Sequence, residues 1–417
     1  MKTSLRLLIN LAGIVILLSA LKVTAQENTA FYTVSGIVKD KQTGEKLEYA
    51  AVSAPGANVG TVTNNEGKFT LKILKSSPAS TIEISHLGYL NYRQPLHGEN
   101  VSQMTFELIP TSILLPEASI FGEEAKAIVA AAIDKIGYNY TDVASMLTCF
   151  HRETIQKQRK YIDVSEAILY TYKTPYTENT DKDRVQIYKG RHVISQKAKD
   201  TLIVKLAGGP NLPVYSDVVK NPDLLLDKNT LDDFSYSMQN QTTINNRPQY
   251  VITFSPRVER PYPLYRGTLY IDKENLSFTK AEFFLDMTDR RKVTQLMVKS
   301  KPARLRFKPV SMLFLVTYIQ RDGKTYLNYL RNEIKFKCDW KRRLFSTDYT
   351  ITSEAVVTES RNENVAIIPN KSAFKKNQIL SDKVQDFSDE NFWGAYNIIE
   401  PTESLESGII KLKKQYK

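Results

Sequence analysis

The stretch SMLFLVTYIQRDGKTYLNYLRNEIKF, residues 311–336, decides the fold class of most of this chain. Apolar, aromatic and β-branched residues dominate residues 311–320 and 325–336, and such runs are typical of β-strands. Between the runs, Asp322 and Gly323 suit a two-residue turn, because both central positions of that turn need a positive φ. The stretch therefore predicts an antiparallel hairpin of two long strands.

The sequence on both sides of this hairpin predicts more strands of one sheet. They occupy residues 147–153, 161–170, 184–189, 250–254, 267–272, 277–285 and 344–358. Eight or more antiparallel strands indicate a large curved sheet or half-open barrel. The Gly- and Pro-rich excursion Ala207–Asp233 interrupts them, and loops of that length are usually functional or mobile.

Two segments have a helical pattern instead. Residues 123–136 repeat apolar side chains at helical spacing and begin with two glutamates, which predicts an amphipathic helix packed on the sheet. Residues 405–412 predict a short terminal helix. Trp393, one of two tryptophans, either docks the tail on the sheet or stacks on a ligand.

Residues 34–110 predict a separate, small β-sandwich, because short strands alternate with turn signals and no helical period occurs. Asn64–Gly67 predicts a hairpin turn between residues 60–63 and 68–73, with Asn and Gly supplying positive φ. A calcium loop is the weaker interpretation of the same residues. The predicted fold class is mainly β: a small sandwich, then a helix with a large curved antiparallel sheet.

The sandwich residues resemble the carboxypeptidase regulatory-like domain. The resemblance rests on Gly36–Asp40, Thr43–Glu45, Ala50–Val52, Gly60–Phe69 and Ile84–Tyr89. It implies a prealbumin-like β-sandwich, an accessory module of many exported proteins of Gram-negative bacteria, including TonB-dependent receptors. The sequence departs from the family at Asn64-Asn65, where an aspartate is common, and at His86, where an aromatic is common.

Arg266–Asp272 with Lys280–Phe283 resembles the periplasmic lipoprotein carriers, in which a curved sheet wraps a helix and can hold acyl chains. Phe150–Glu153 followed by Glu166-Ala167 resembles exported proteins that pair such a sheet with the regulatory-like domain. The carrier resemblance implies an apolar groove. Its candidate wall residues are Phe283, Leu285, Leu313, Leu315 and Tyr318, which could equally be ordinary core.

The sequence predicts no catalytic residue, no metal ligand and no cofactor. A zinc carboxypeptidase needs His-x-x-Glu, but His86, His97 and His192 have no Glu at the third position after them, and Glu153 follows His151 at the second. Glu153, Asp163 and Glu166 could form a carboxylate set, although solvated or ion-paired carboxylates are the default. We therefore expect a protein that is not an enzyme.

The N-terminus predicts export. Lys2 and Arg6 precede an apolar run over residues 7–20, and Val23-Thr24-Ala25 suits cleavage. The predicted organisation is a signal peptide at 1–25, a sandwich at 31–110, a linker at 111–122, a helix-and-sheet domain at 123–369 and a tail at 370–417. Cys149 and Cys338 could form a disulfide in an oxidising compartment or remain buried thiols.

Charge and compartment limit the partners. The chain has a net charge of +12, yet residues 26–122 hold seven Lys or Arg against nine Asp or Glu, so the second domain is basic. Outside the cytoplasm this favours an anionic membrane face or an acidic glycan over nucleic acid, although a solvated basic surface without a partner is the default interpretation. The first hypothesis is a non-catalytic periplasmic protein that binds a protein or envelope component at or near the outer membrane. The alternative is a carrier of a lipid or other apolar ligand in the curved sheet.

Overall fold

The computed structural model of the chain describes residues 31–111, 122–200, 205–206, 209–340, 346–375, 378, 380–386 and 392–416. The predicted signal peptide and nearly all of the predicted linker lie outside these residues. In the described residues no helix is long and apolar enough to cross a membrane.

The N-terminal region is a β-sandwich. Its strands are β1 (Phe31–Asp40), β2 (Ala51–Ala54), β3 (Val59–Val62), β4 (Lys68–Leu74), β5 (Thr81–Ser85), β6 (Tyr92–Pro95) and β7 (Val101–Leu108). One sheet has the order β4–β1–β7, with β1 and β7 parallel, and the facing sheet has the order β3–β2–β5–β6. The alternating buried side chains of both sheets, such as Phe69, Ile84 and Phe106, meet in one core.

The Asn64–Gly67 turn forms, but the hairpin prediction for its flanking strands is wrong. β3 and β4 lie in different sheets, so the turn crosses the sandwich instead of closing a ladder. Gly67 has a φ of 71°, while Asn64 and Asn65 are not among the positive-φ residues. The Asn64 side chain instead accepts hydrogen bonds from the backbone N–H groups of Glu66 and Lys68, at 2.8 and 3.0 Å.

The second region is a curved antiparallel sheet, as predicted. Its strands are β8 (Ser145–Lys157), β9 (Lys160–Lys173), β10 (Arg184–Ile194), β12 (Phe234–Ile244), β13 (Arg247–Pro256), β14 (Tyr265–Asp272), β15 (Phe278–Leu285), β17 (Leu305–Arg321), β18 (Lys324–Trp340) and β19 (Thr347–Arg361). Their order is β12–β13–β14–β15–β17–β18–β19–β8–β9–β10, a half-barrel. Short strands β11 (Lys205–Leu206) and β16 (Val298–Ser300) pair separately, and β20 (Gln385–Asp386) lies parallel to β10.

The predicted hairpin at residues 321–324 is confirmed. Arg321 pairs with Lys324, and Asp322 and Gly323 have φ values of 50° and 76°. These values fit the turn whose twist matches that of the flanking strands, so β17 and β18 stay paired over their whole length.

The helices are α1 (Gly122–Asp134), α2 (Ile136–Asn139), α3 (Leu212–Tyr215), α4 (Arg290–Met297) and α5 (Glu403–Lys413). α1 buries Ala125, Val129 and Ala132 in the core of the half-barrel, as its apolar spacing predicts. α5 confirms the predicted terminal helix; its N-cap Thr402 accepts a hydrogen bond from the Leu405 backbone N–H at 3.2 Å.

The excursion before β12, for which the sequence predicted a functional or mobile loop, packs into the core from Leu212 onward. From Leu212 onward it forms α3 and short 3₁₀ helices at residues 222–224 and 228–233. Its apolar side chains pack with α1 and the sheet; those buried in the main core are Leu212, Val214, Val218, Val219, Leu225, Leu226 and Leu231. Each apolar side chain removed from water contributes about 1.5–3 kcal/mol, which holds a segment with little regular structure in place.

The C-terminal segment, residues 392–413, joins the two regions. Asn64 Nδ2 donates to the carbonyls of Glu400 and Pro401, both at 3.2 Å, on the sandwich side. On the sheet side Trp393 is buried edge-on against Phe150, with ring centroids 5.5 Å apart. Trp393 therefore docks the tail on the sheet, which is the first of the two roles considered for it from the sequence. The two regions also share one strand pair, between Val59 and Glu359.

Candidate functional site

A buried charge network occupies the inside of the half-barrel. The Asp217 carboxylate accepts hydrogen bonds from Lys173 Nζ at 2.5 Å, Tyr176 Oη at 2.8 Å and Tyr318 Oη at 2.7 Å. Burial, followed by the charge of Asp217, raises the pKa of Tyr176 and of Tyr318 well above the ordinary value. Lys220, three residues after Asp217, donates to Thr174 Oγ1 at 2.8 Å. The network ties the core-filling excursion to β9 and β17.

The five predicted wall residues do not form one wall. Phe283 and Tyr318 lie in the main core inside the half-barrel, and Leu285 packs in a second cluster with α4. Leu315 belongs to a third cluster with Phe150 and Trp393, on the other face of the sheet. Leu313 is half-buried and, by alternation along β17, lies on the same face as Leu315.

A polar row crosses the inner face of five neighbouring strands. Asn332, Ser353, Glu153, Ser165 and His192 pair one after another across β18, β19, β8, β9 and β10. Glu153 accepts a hydrogen bond from Ser353 Oγ at 3.1 Å. Polar side chains on a core face of a sheet are unusual and mark a region with its own electrostatics.

Burial, then the charge of nearby Asp163, raises the pKa of Glu153 to about 7. Burial likewise raises the pKa of Asp163. His151 lies two residues before Glu153 on β8, and an alanine stands opposite it on each neighbouring strand. Its side chain is fully buried, and neither ring nitrogen has a hydrogen-bond partner. Burial lowers the pKa of His151 to about 3, so its ring is neutral at physiological pH.

The third carboxylate of the predicted set lies on the opposite face of the sheet. Glu166 Oε1 accepts from Arg152 Nε at 2.8 Å and Glu166 Oε2 from Arg191 Nε at 2.9 Å. Burial alone would raise the pKa of Glu166, but the two arginines outweigh it and lower the pKa. Arg152 also donates to the Ile399 carbonyl at 2.8 Å, so this group anchors the C-terminal segment.

Cys149 and Cys338 are free and buried, in two different clusters. Burial raises the pKa of the Cys149 thiol to about 12 and that of Cys338 to about 11, which makes both unreactive. Across the described residues, no group of three His, Cys, Asp or Glu side chains could hold a metal ion.

A ligand-sized cleft opens where the excursion meets the turn before β14. We call it the Tyr262 cleft; its volume is about 350 Å³. Its apolar lining consists of Leu224, Leu225, Phe234, Tyr262, Pro263, Leu264, Tyr265 and Leu296. Tyr262 is 52% exposed and Leu296 of α4 is 48% exposed, so the apolar lining continues onto the surface. A cleft of this size that is lined mainly by apolar side chains is the usual form of a binding site.

Carboxylates also line the Tyr262 cleft. Asp233 forms a two-point ion pair with Arg260, at 2.6 and 2.8 Å, and Asp227 caps the 3₁₀ helix at residues 228–233. Asp223 completes the set. The cleft therefore suits an apolar group that carries no negative charge, because an anion there would face these carboxylates.

Sequence reasoning missed this cleft, since its lining comes from three separate segments. Exposed Tyr262 follows Pro261 in a run of charged and proline residues, which looks like an ordinary loop. Asp217 was missed because it lies in the Gly- and Pro-rich excursion, where no local pattern places it beside Lys173, Tyr176 and Tyr318.

Residues 34–120 match the CarboxypepD_reg-like domain family, a non-catalytic kind of domain. No curated protein sequence matches the chain. A DUF1329 family protein from Desulfovibrio piger has a TM-score of 0.24 and 12% identity, over 59% of this chain and 95% of that chain.

Two other solved structures show similarity at the same low level. A candidate outer membrane lipoprotein-sorting protein domain from Vibrio parahaemolyticus has a TM-score of 0.27 and 10% identity, over 60% of this chain and 96% of that chain. A candidate membrane-associated protein of unknown function from Bacteroides fragilis has a TM-score of 0.16 and 9% identity, over 79% and 98%. Similarities this low decide neither the fold nor the function of this chain.

Proposed function

We propose that this protein is a non-catalytic exported binding protein that holds an apolar segment of an envelope protein in the Tyr262 cleft. The observation that carries the proposal is the exposed apolar lining at Tyr262 and Leu296 around a cleft of about 350 Å³. Exposed apolar side chains that continue the lining of a cleft onto the surface are typical of partner-binding surfaces.

The alternative, a carrier of lipid inside the curved sheet, is less well supported. The inside of the half-barrel is filled by α1, by the excursion from Leu212 onward and by the Asp217 network. The Tyr262 cleft could take an acyl chain by volume, but Asp223 and Asp227 would oppose an anionic headgroup beside it. A polypeptide segment with apolar and basic side chains matches both the apolar lining and the carboxylates of the cleft.

The proposal is tested by a photo-crosslinking amino acid placed at position 296 in cells that produce the full chain. A matched control carries it at position 410, where Ile410 of α5 is 53% exposed and does not line the cleft. We expect one discrete protein adduct from position 296 and none from position 410. Adducts that are absent or equal at the two positions would contradict the proposal.

A second measurement separates the carrier. Organic extracts of the purified protein and of Leu296→Asp are compared by mass spectrometry. An acyl lipid that is present in the first and lost from the second would establish the carrier hypothesis in place of the protein partner. Extracts free of lipid together with the position-296 adduct support the binding protein.

A further inference from the structure

A second ligand-sized groove lies at the edge of the half-barrel and shares no residue with the Tyr262 cleft. It runs between Ile187–Gly190 of β10 and the described residues 371–374, 378, 383 and 384, with Phe392 as part of its floor. Its volume is about 500 Å³, which is within the range of sites for small ligands. We call it the β10 groove.

The described lining of the β10 groove is basic. Lys189, Lys371 and Lys383 line it, and no carboxylate appears among its described lining residues. Lys189 Nζ lies 4.3 Å from the centre of the Phe392 ring, which fixes that ammonium group against the floor. Ser372 and Gln378 add groups that can donate and accept hydrogen bonds. These residues together select an anion that also carries hydroxyl groups.

A β-bulge directs an aromatic ring into this basic surface. Ile187 pairs with Leu169 and Lys189 with Ile168, so Tyr188 is an extra residue on β10. Bulges are common next to functional sites because they redirect a side chain. Tyr188 is 54% exposed, yet its ring is held by two others, with centroids 5.0 Å from Tyr170 and 5.7 Å from Tyr396. The exposed part of the Tyr188 ring is therefore a positioned, flat, partly apolar surface.

From this arrangement we propose that the β10 groove binds an acidic saccharide, a sugar whose ring packs on Tyr188 and whose carboxylates meet the three lysines. A simple inorganic anion would use the lysines but leave the Tyr188 ring unused. A lipid would need a wider exposed apolar surface, because Phe374 and Phe392 of the described lining are buried and Tyr188 is the large ring exposed there. The site is independent of the proposed function at the Tyr262 cleft.

The test is titration calorimetry of the full-length mature protein with trigalacturonate, with neutral maltotriose and inorganic phosphate as comparison ligands. We expect trigalacturonate to bind, and to bind more weakly as salt is raised, because the lysines are near the surface. Maltotriose and phosphate should each bind at least about tenfold more weakly, since each lacks one of the two features. The double variant K371Q/K383Q should lose about tenfold or more in affinity for trigalacturonate.

Two matched variants make the result specific. Lys375→Gln lies in the same segment, is exposed and does not line the groove, so its affinity should equal that of the unaltered protein. Tyr188→Ala should weaken binding about fivefold, while Tyr188→Phe keeps the ring and should not. Trigalacturonate that does not bind, or that binds K371Q/K383Q as well as K375Q, would overturn the proposal. Phosphate that binds as tightly as trigalacturonate, with no effect of Tyr188→Ala, would show a simple anion site and overturn the saccharide assignment.

Discussion

Replacing Asp217 with asparagine should destabilise the second region more than any surface charge change. Asp217 and Lys173 are almost fully buried, and Lys173 Nζ lies 2.5 Å from Asp217 Oδ2. The amide keeps the size of the side chain but removes the charge, so the Lys173 ammonium stays buried without an anion. Breaking a buried pair in this way costs about 3–5 kcal/mol of the free energy of unfolding.

The hydroxyl groups of Tyr176 and Tyr318 add to the expected loss. Both donate to the Asp217 carboxylate, and hydrogen bonds to a charged acceptor contribute about 1.5–3 kcal/mol each, against about 0.5–1.5 kcal/mol for neutral pairs. The amide oxygen can still accept from them, so only part of that difference is lost. We therefore expect D217N to fall near the upper end of the 3–5 kcal/mol range.

The assay is urea unfolding followed by tryptophan fluorescence, because Trp340 and Trp393 both lie in the second half of the chain. Asp134→Asn is the matched control: Asp134 pairs with Lys228 at 2.8 Å, but both side chains are exposed, and such pairs contribute about 0–1 kcal/mol. The double variant K173M/D217N should recover much of the loss, since it leaves no unpaired charge. D217N as stable as D134N would refute the reasoning.

Three other substitutions test separate parts of the structure. Trp393→Ala should lower the free energy of unfolding by about 3–5 kcal/mol and make the C-terminal segment sensitive to proteolysis, because the ring is buried against the sheet. A C-terminal segment that resists proteolysis as well as in the unaltered protein would contradict the docking role. Glu153 has its pKa raised to about 7 in the folded protein, so stability should fall as pH rises from about 4.5 to 7 and level off above it. Glu153→Gln should flatten that profile in urea unfolding measured from pH 5 to 8, by on the order of 1–3 kcal/mol, and an unchanged slope would assign the effect to another group such as Asp163. Gly267→Ala should lower the free energy of unfolding by about 1–3 kcal/mol, measured by thermal unfolding. The reason is that the new Cβ would overlap the Glu282 carbonyl and lie 2.6 Å from the Phe283 Cα. A loss below about 0.5 kcal/mol would contradict this reasoning and show that β14 can shift.

Short-range patterns in the sequence were enough for most of the strands, the sandwich and the turn at residues 321–324, but not for β12, which the sequence did not predict. A turn residue with positive φ and a run of alternating side chains depend on neighbours a few positions away, so they are visible in the sequence. The same holds for α1 and α5, whose spacing and N-terminal acidic residues are local. Export, the signal peptide and the domain boundaries stay predictions.

The register between strands, and with it the face of the sheet on which each side chain lies, could not be predicted from the sequence. Glu153 and Glu166 lie on adjacent strands, yet one points inside the half-barrel with Asp163 and the other outside between two arginines. Nothing local distinguishes them, because side chains alternate on every strand and the register between strands sets which face is buried. For the same reason the five predicted wall residues divide among separate clusters.

The candidate sites are also products of distant segments. The Tyr262 cleft needs the excursion, the turn before β14 and α4, and the β10 groove needs β10 and residues almost 200 positions later in the chain. Backbone preference and side-chain period are local properties, so the sequence indicates most of the strands together with α1 and α5. Which segments meet depends on the summed burial of apolar surface and the pairing of buried charges over the whole chain, so that choice is visible only in the folded structure.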